Sequence, residues 1–218
     1  VAQGGFALLG ALLGGLGVLV LTLPIPVETP FARILPMIAG ALSGGLWGAW
    51  SWQIALKYFY RASTDIRDPI LQRDTGFYLF TLPFYDSVYW GLLWLTAIAL
   101  AAVLYFALTA QGCKTLFSGS SANPSEFGGQ ISAQRLLGLP LAAIAAVLAW
   151  GHYLNIYHLM YSRSGVITGA GWMDVHFRLP AYSIVAAVTL LLGLLPLVPS
   201  FRARLARQLN RQRSWMFD

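Results

Sequence analysis

Charge and sulfur are what this chain of 218 residues has least of: 10% of its residues are charged, and Cys113 is its only cysteine. One thiol cannot close an intrachain disulfide or build a multi-cysteine metal site, so cross-linking does not explain the fold. Catalytic signatures are missing as well. There is no GxSxG elbow, no P-loop, no HExxH and no carboxylate pair backed by a base, so no enzymatic activity and no metal site are expected. Nor does any Asp, Glu, Lys or Arg fall in the middle of a long apolar run. A self-sufficient ion or proton translocator keeps such a charge in the hydrocarbon, so that class is disfavoured.

What the chain has is apolar surface. It is 57% hydrophobic, with a mean hydropathy of +0.64, more than a soluble core could hide. The expected fold class is all-α: an integral membrane helical bundle with about five transmembrane helices, a short interfacial helix and a basic C-terminal tail. The apolar runs place spans at about 6–23, 34–56, 88–110, 136–154 and 180–198. Together they make one transmembrane domain over 1–200, followed by an amphipathic tail over 201–218. The chain opens on Val1 with no basic region before its first apolar run and no small-residue cleavage signal after it. A processed chain or a piece of a longer one is expected, not an intact signal peptide.

Within the spans the small residues are regularly spaced. Gly10 and Gly14 in the first run, and Gly40, Gly44 and Gly48 in the second, recur every fourth residue. Each set leaves a stripe without side chains on which another backbone can pack. Pro24 and Pro26 end the first run, Pro140 falls in the first turn of the fourth, and Pro196 bends or ends the fifth. Aromatic belts mark the headgroup level at Trp47, Trp50, Trp52, Tyr58 and Tyr60, and again at Trp150, Tyr153 and Tyr157. His152 and His158 stand in the second belt. A neutral imidazole suits haem or chlorophyll iron or magnesium, which makes these two the candidate cofactor ligands. Six residues apart, they do not share a helical face, and the reading adopted is a hydrogen-bonding belt with no cofactor.

Fourteen Lys and Arg oppose eight Asp and Glu, giving a net charge of +6. Such an excess on a membrane protein suits anionic headgroups, and no nucleic-acid partner is expected. The tail carries Arg202, Arg204, Arg207, Arg211 and Arg213, with Phe201, Leu205 and Leu209 at four-residue spacing, as a helix on anionic lipid requires. Span parity puts 68–85 and 161–178 on one side of the membrane and the tail on the other. The tail's almost unopposed arginines assign it to the cytoplasm and the other two segments to the exoplasmic face.

Residues 68–85, DPILQRDTGFYLFTLPFY, form a polar and aromatic island between apolar runs. Asp68 before Pro69 favours extended backbone and ends the preceding helix. Asp74 can cap a new short helix lying in the interface, with Phe77, Phe80 and Phe84 on one face and Pro83 at its end. Such a helix anchors the bundle or offers a docking platform with the Asp174 loop.

These residues resemble a family of large, functionally uncharacterised bacterial membrane proteins. The resemblance rests on Asp68, Pro69, Asp74, Phe77, Tyr78, Leu79, Phe80, Leu82, Pro83, Phe84 and Tyr85, and then on Gly169, Ala170, Gly171, Asp174, Val175, Leu179 and Pro180. Leu71 and Gln72 stand where the family tends to have Phe and Gly, and Trp172 and Met173 where it tends to have Tyr and Thr. The resemblance implies about seven membrane-spanning helices before a large exoplasmic domain, of which this chain is an internal block with both motif loops outside. The expected role is a structural or accessory subunit of a larger assembly in the bacterial plasma or thylakoid-type membrane, with other membrane subunits as partners. A component of a transport or export system, and a pigment- or haem-binding subunit of a photosynthetic or respiratory complex, are the alternatives.

Overall fold

A computed structural model describes residues 2–23, 31–108, 133–161 and 169–198. The expected tail helix over 201–218, Cys113 with its polar loop, and Pro24 and Pro26 lie outside the described residues. Five long helices carry the fold: α1 (Ala2–Thr22), α2 (Phe31–Phe59), α3 (Leu82–Leu108), α4 (Ala133–His158) and α5 (Leu179–Leu194). No strand occurs among the described residues. Leu8, Leu12, Leu42, Leu46, Leu104 and Leu191 are all exposed, which suits helices solvated by lipid.

Four helical stretches are long and apolar enough to cross a membrane: Ala2–Thr22, Phe77–Phe106, Gly138–Tyr161 and Asp174–Leu197. The remaining helix, α2, has 29 residues and so spans about 43 Å at 1.5 Å per residue. Its glycines, serines and tryptophans dilute its hydropathy, and among them Gly40, Gly44, Gly48, Trp47 and Ser51 pack it against its neighbours.

Successive helices run in opposite directions. Gly10 faces Gly44 and Gly14 faces Gly40 across α1–α2, while Trp47 lies on Gly91 across α2–α3. Tyr89 lies on Gly151 across α3–α4, and Ala145 meets Gly193 across α4–α5. The start of α1, the island and the Gly169–Pro180 segment therefore share one end of the bundle. Residues Gly10, Gly14, Gly40, Gly44 and Gly48 form the α1–α2 crossing itself. A Cβ on Gly10, Gly14 or Gly44 would sit inside the van der Waals shell of a facing carbonyl oxygen, that of Gly44, Gly40 or Gly10. One on Gly48 would strike the Phe6 carbonyl. Backbone-to-backbone contact of this kind is how helices associate when lipid removes the hydrophobic drive between them.

Three expectations need correcting. Pro140 is not in a first turn: α4 begins at Ala133, so the proline lies inside the helix, because the helical stretch extends beyond the apolar run toward its N-terminus. Trp47 is not a belt residue. Its indole N–H donates to the Ser87 carbonyl at 2.7 Å, and it packs over Gly91, the one surface of α3 with no side chain in the way. The helix before the island stops at Phe59, well ahead of Asp68, and residues 61–66 are irregular.

Candidate docking cleft at the island end

The island is a folded loop. Antiparallel backbone bonds join Asp68 N–H to the Arg73 carbonyl at 2.8 Å and Thr75 N–H to the Ile66 carbonyl at 2.9 Å, closing a small hairpin over 66–75. Asp68 organises its tip: the carboxylate accepts from Leu71 N–H at 2.7 Å, Ile70 N–H at 3.3 Å and the Tyr78 hydroxyl at 3.2 Å. Pro69 starts the turn, and Gln72 closes it with φ +56°. That left-handed backbone is costly for a side-chain-bearing residue and free for glycine, which gives a physical reason for the glycine the resemblance implies at position 72.

Asp74 is the second latch. Its carboxylate accepts from the Thr64 hydroxyl, from the Ser63 hydroxyl at 3.0 Å, from Thr64 N–H at 3.3 Å and from Gly76 N–H at 3.2 Å. These bonds, the Thr64 hydroxyl first and Gly76 N–H next, lower its pKa from 3.8 to about 2. A depressed carboxylate contributes stability that is fully present above pH 3.8 and lost as pH falls through about 2. Acidification from pH 5 to 2 should therefore lower the melting temperature of the native protein more than that of an Asp74→Asn variant, as measured by tryptophan fluorescence in detergent.

The short helix after Asp74 does not end at Pro83. Residues Phe77–Thr81 form a π-turn, with Leu82 N–H bonded to the Phe77 carbonyl, that runs straight into α3. The next rung would need an N–H from Pro83 to the Tyr78 carbonyl, and proline has none. Tyr161, in the short turn Leu159–Tyr161 after α4, supplies the missing donor: its hydroxyl bonds the Tyr78 carbonyl at 2.8 Å. Widening the turn also breaks the expected common face of Phe77, Phe80 and Phe84, since a π-turn adds a residue. Phe77 meets Tyr157 of α4 at 4.9 Å, whereas Phe84 stacks on Tyr58 of α2 at 4.3 Å and 13°. Phe80 is half-buried. Tyr78, Leu82, Leu154 and Tyr157 form the buried cluster beneath, with Tyr85 packed at its edge.

The second segment is built the same way. Asp174–Arg178 is a π-turn with Leu179 N–H on the Asp174 carbonyl, followed again by Leu-Pro. Asp174 is 2% exposed, and its carboxylate accepts from Gly171 N–H at 3.0 Å and pairs with Arg178 at 2.9 Å. Gly169 has φ +129°, a conformation that suits only glycine. The shared pattern is Phe80-x-Leu82-Pro83-x-Tyr85 and Phe177-x-Leu179-Pro180-x-Tyr182, a repeat that hydrophobic periodicity alone does not reveal. This segment packs chiefly on α5, whereas the island packs on α2, α3 and α4.

His152 and His158 reach one cavity of about 360 Å³ beside Asp86 and Tyr89, although their spacing separates them on a helical wheel. Most of its α4 lining, Leu148, Gly151, His152, Asn155 and His158, follows the three- and four-residue spacing of one broad helical face. His158 Nε2 is 2.9 Å from Asp86 Oδ1, a contact that orients the imidazole ring. His176 stacks on Trp172 at 4.4 Å and bonds its carbonyl.

On the other side of α3, the ends of α2 and α4 and the island enclose a cleft of about 660 Å³. Tyr58, Tyr85, Tyr153 and Tyr157 line it, with Trp150 among them and Arg61 and Arg73 at the polar rim. Arg61 lies over the Tyr58 ring at 4.5 Å; Arg73 lies over Phe77 at 5.5 Å and Tyr157 at 5.9 Å.

The sequence matches the model of an uncharacterised protein family, UPF0182, over residues 25–213, a range that includes both motif segments and the cleft. The chain belongs to the UPF0182 family. A UPF0182 protein of Pelobacter propionicus is 34% identical over 172 residues, covering 77% of this chain and 18% of the relative. One from Synechococcus sp. (strain JA-3-3Ab) is 37% identical over 161 residues, 71% of this chain and 18% of its own length. A third, from Sulfurovum sp. (strain NBC37-1), is 29% identical over 189 residues. The chain thus spans about a fifth of these relatives, as a segment of a larger UPF0182 architecture. No solved structure matches it.

Proposed function

We propose that this UPF0182 segment is a structural, accessory part of a larger assembly in the bacterial cell membrane, holding the island as a docking platform at the exoplasmic face. It performs no catalysis of its own. Its neighbours are other membrane subunits, and its basic tail rests on anionic lipid at the cytoplasmic face. One observation carries this reading: the island's motif residues are spent on folding the loop and joining it to three helix ends, leaving an open cleft lined by arginine and tyrosine. The polar groups inside the helices support it too. Ser51 and Ser87 bond each other at 2.6 Å, and Thr22 and Thr96 bond carbonyls of their own helices, so these four are spent within the bundle.

The test is isolation of the full-length protein from its native membrane in a detergent-free polymer disc. Co-isolation with stoichiometric membrane partners, cross-linked through the island, is expected. Recovery as a monomer with an ion or solute flux of its own would overturn the reading in favour of a transport component.

A further inference from the structure

We infer that the cleft between the island and the ends of α2, α3 and α4 is a binding site for the headgroup of an acidic phospholipid. This deepens the docking-platform reading and rests on it only in taking the cleft as a site. Both rim arginines are held by aromatic faces, and among the described residues neither has a carboxylate within ion-pair distance. Arg61 gives one N–H to the Tyr58 carbonyl at 3.3 Å, and Arg73 gives one to the Tyr157 hydroxyl at 3.5 Å. A guanidinium has five N–H donors in one plane, so with one N–H given to a phenol or carbonyl oxygen most of its edge stays open to an oxyanion.

Asp74 also borders the cleft, but its carboxylate is occupied by Ser63, Thr64 and Gly76, and the two arginines outnumber it. Tyr153 and Tyr157 share a hydrogen bond of 2.9 Å, placing two phenol oxygens beside Arg73.

The recognised chemistry is a phosphate ester with net negative charge. Two sources could present it, a lipid or a water-soluble phosphate, and the position of the cleft selects the lipid. The cleft lies at the start of the apolar stretch Phe77–Phe106 and the end of Gly138–Tyr161, beside the end of α2, among tyrosine and tryptophan side chains of the kind that mark a headgroup layer. At about 660 Å³ it has the size of a small-molecule site, and its aromatic floor can take the glycerol end of the headgroup.

The full chain in a neutral detergent, titrated with phosphatidylglycerol and phosphatidylcholine by native mass spectrometry, tests this directly. Phosphatidylglycerol is expected to bind about tenfold more tightly, and Arg61→Gln with Arg73→Gln to remove about that factor, as loss of charge-assisted hydrogen bonds does. Arg67→Gln, which alters an arginine outside the cleft, should leave the preference unchanged. Equal binding of the two lipids, a preference for choline, or a double variant that retains the preference would each overturn the proposal. Inorganic phosphate or glycerol phosphate competing at the lipid's own concentration would overturn the lipid source. Should the double variant not fold, Arg73→Lys keeps the charge but loses the planar fork, and an undiminished preference in that variant overturns the geometry. None of these outcomes depends on whether the protein co-isolates with partners.

Discussion

Gly44→Ile drives α1 and α2 apart and costs the fold at least the ~1–3 kcal/mol typical of overpacking. Gly44 faces the Gly10 carbonyl and the Gly14 Cα, so a side chain there meets backbone and has no flexible neighbour to push aside. The helices can relieve the clash only by separating along the whole seam, because Gly14–Gly40 and Gly48–Phe6 are equally close on either side. In lipid nothing replaces what is lost: the helices are held by packing at close approach, and apolar burial offers little beyond what lipid tails give. Unfolding in mixed micelles, followed by tryptophan fluorescence as denaturing detergent is added, should show the loss. Gly4→Ala, where a Cβ meets nothing within 4 Å, should show none and serves as the control.

Tyr161→Phe should cost about 1–3 kcal/mol, the penalty for leaving a partly buried acceptor without its donor. The Tyr78 carbonyl is orphaned by the proline at position 83 and the register of the π-turn, and the Tyr161 hydroxyl is what bonds it. Phenylalanine keeps the ring contact of 6.2 Å with Tyr78, so the change removes the hydrogen bond and little else. The effect should be local: amide exchange at 77–82 should speed up by the factor the lost stability implies, while α1 and α2 keep their protection. Uniform destabilisation of all the helices, or none, would show that the carbonyl finds another partner.

Pro83 shows where one-dimensional reading stops. A proline nine residues after a capping aspartate reads as a helix end, because in a regular α-helix its ring collides with the preceding turn. Here the turn widens, the collision is relieved and a tyrosine 83 residues away completes the bonding. No local pattern contains that tyrosine. The repeated Phe-x-Leu-Pro-x-Tyr was nevertheless in plain view, and it marks both widened turns. The glycines were legible for the opposite reason. Their four-residue spacing is a property of a single helix, so the stripe can be read without knowing the partner, although the pairing of Gly10 with Gly44 cannot. His152 and His158, six residues apart, line one cavity because Asn155 lies between them on the same broad face of α4.

Hydropathy, glycine spacing and belt aromatics each belong to one helix and its solvent, so the sequence by itself determined a lipid-solvated helical bundle, its small-residue stripes and the distinctness of residues 68–85. The tertiary structure alone decided that Arg61 and Arg73, from two sides of one loop, share a cleft with tyrosines of three helices. It decided as well that Asp68 and Asp74 are latches holding that loop. A guanidinium or a carbonyl finds its partner wherever another helix happens to end, and that depends on how the helices cross.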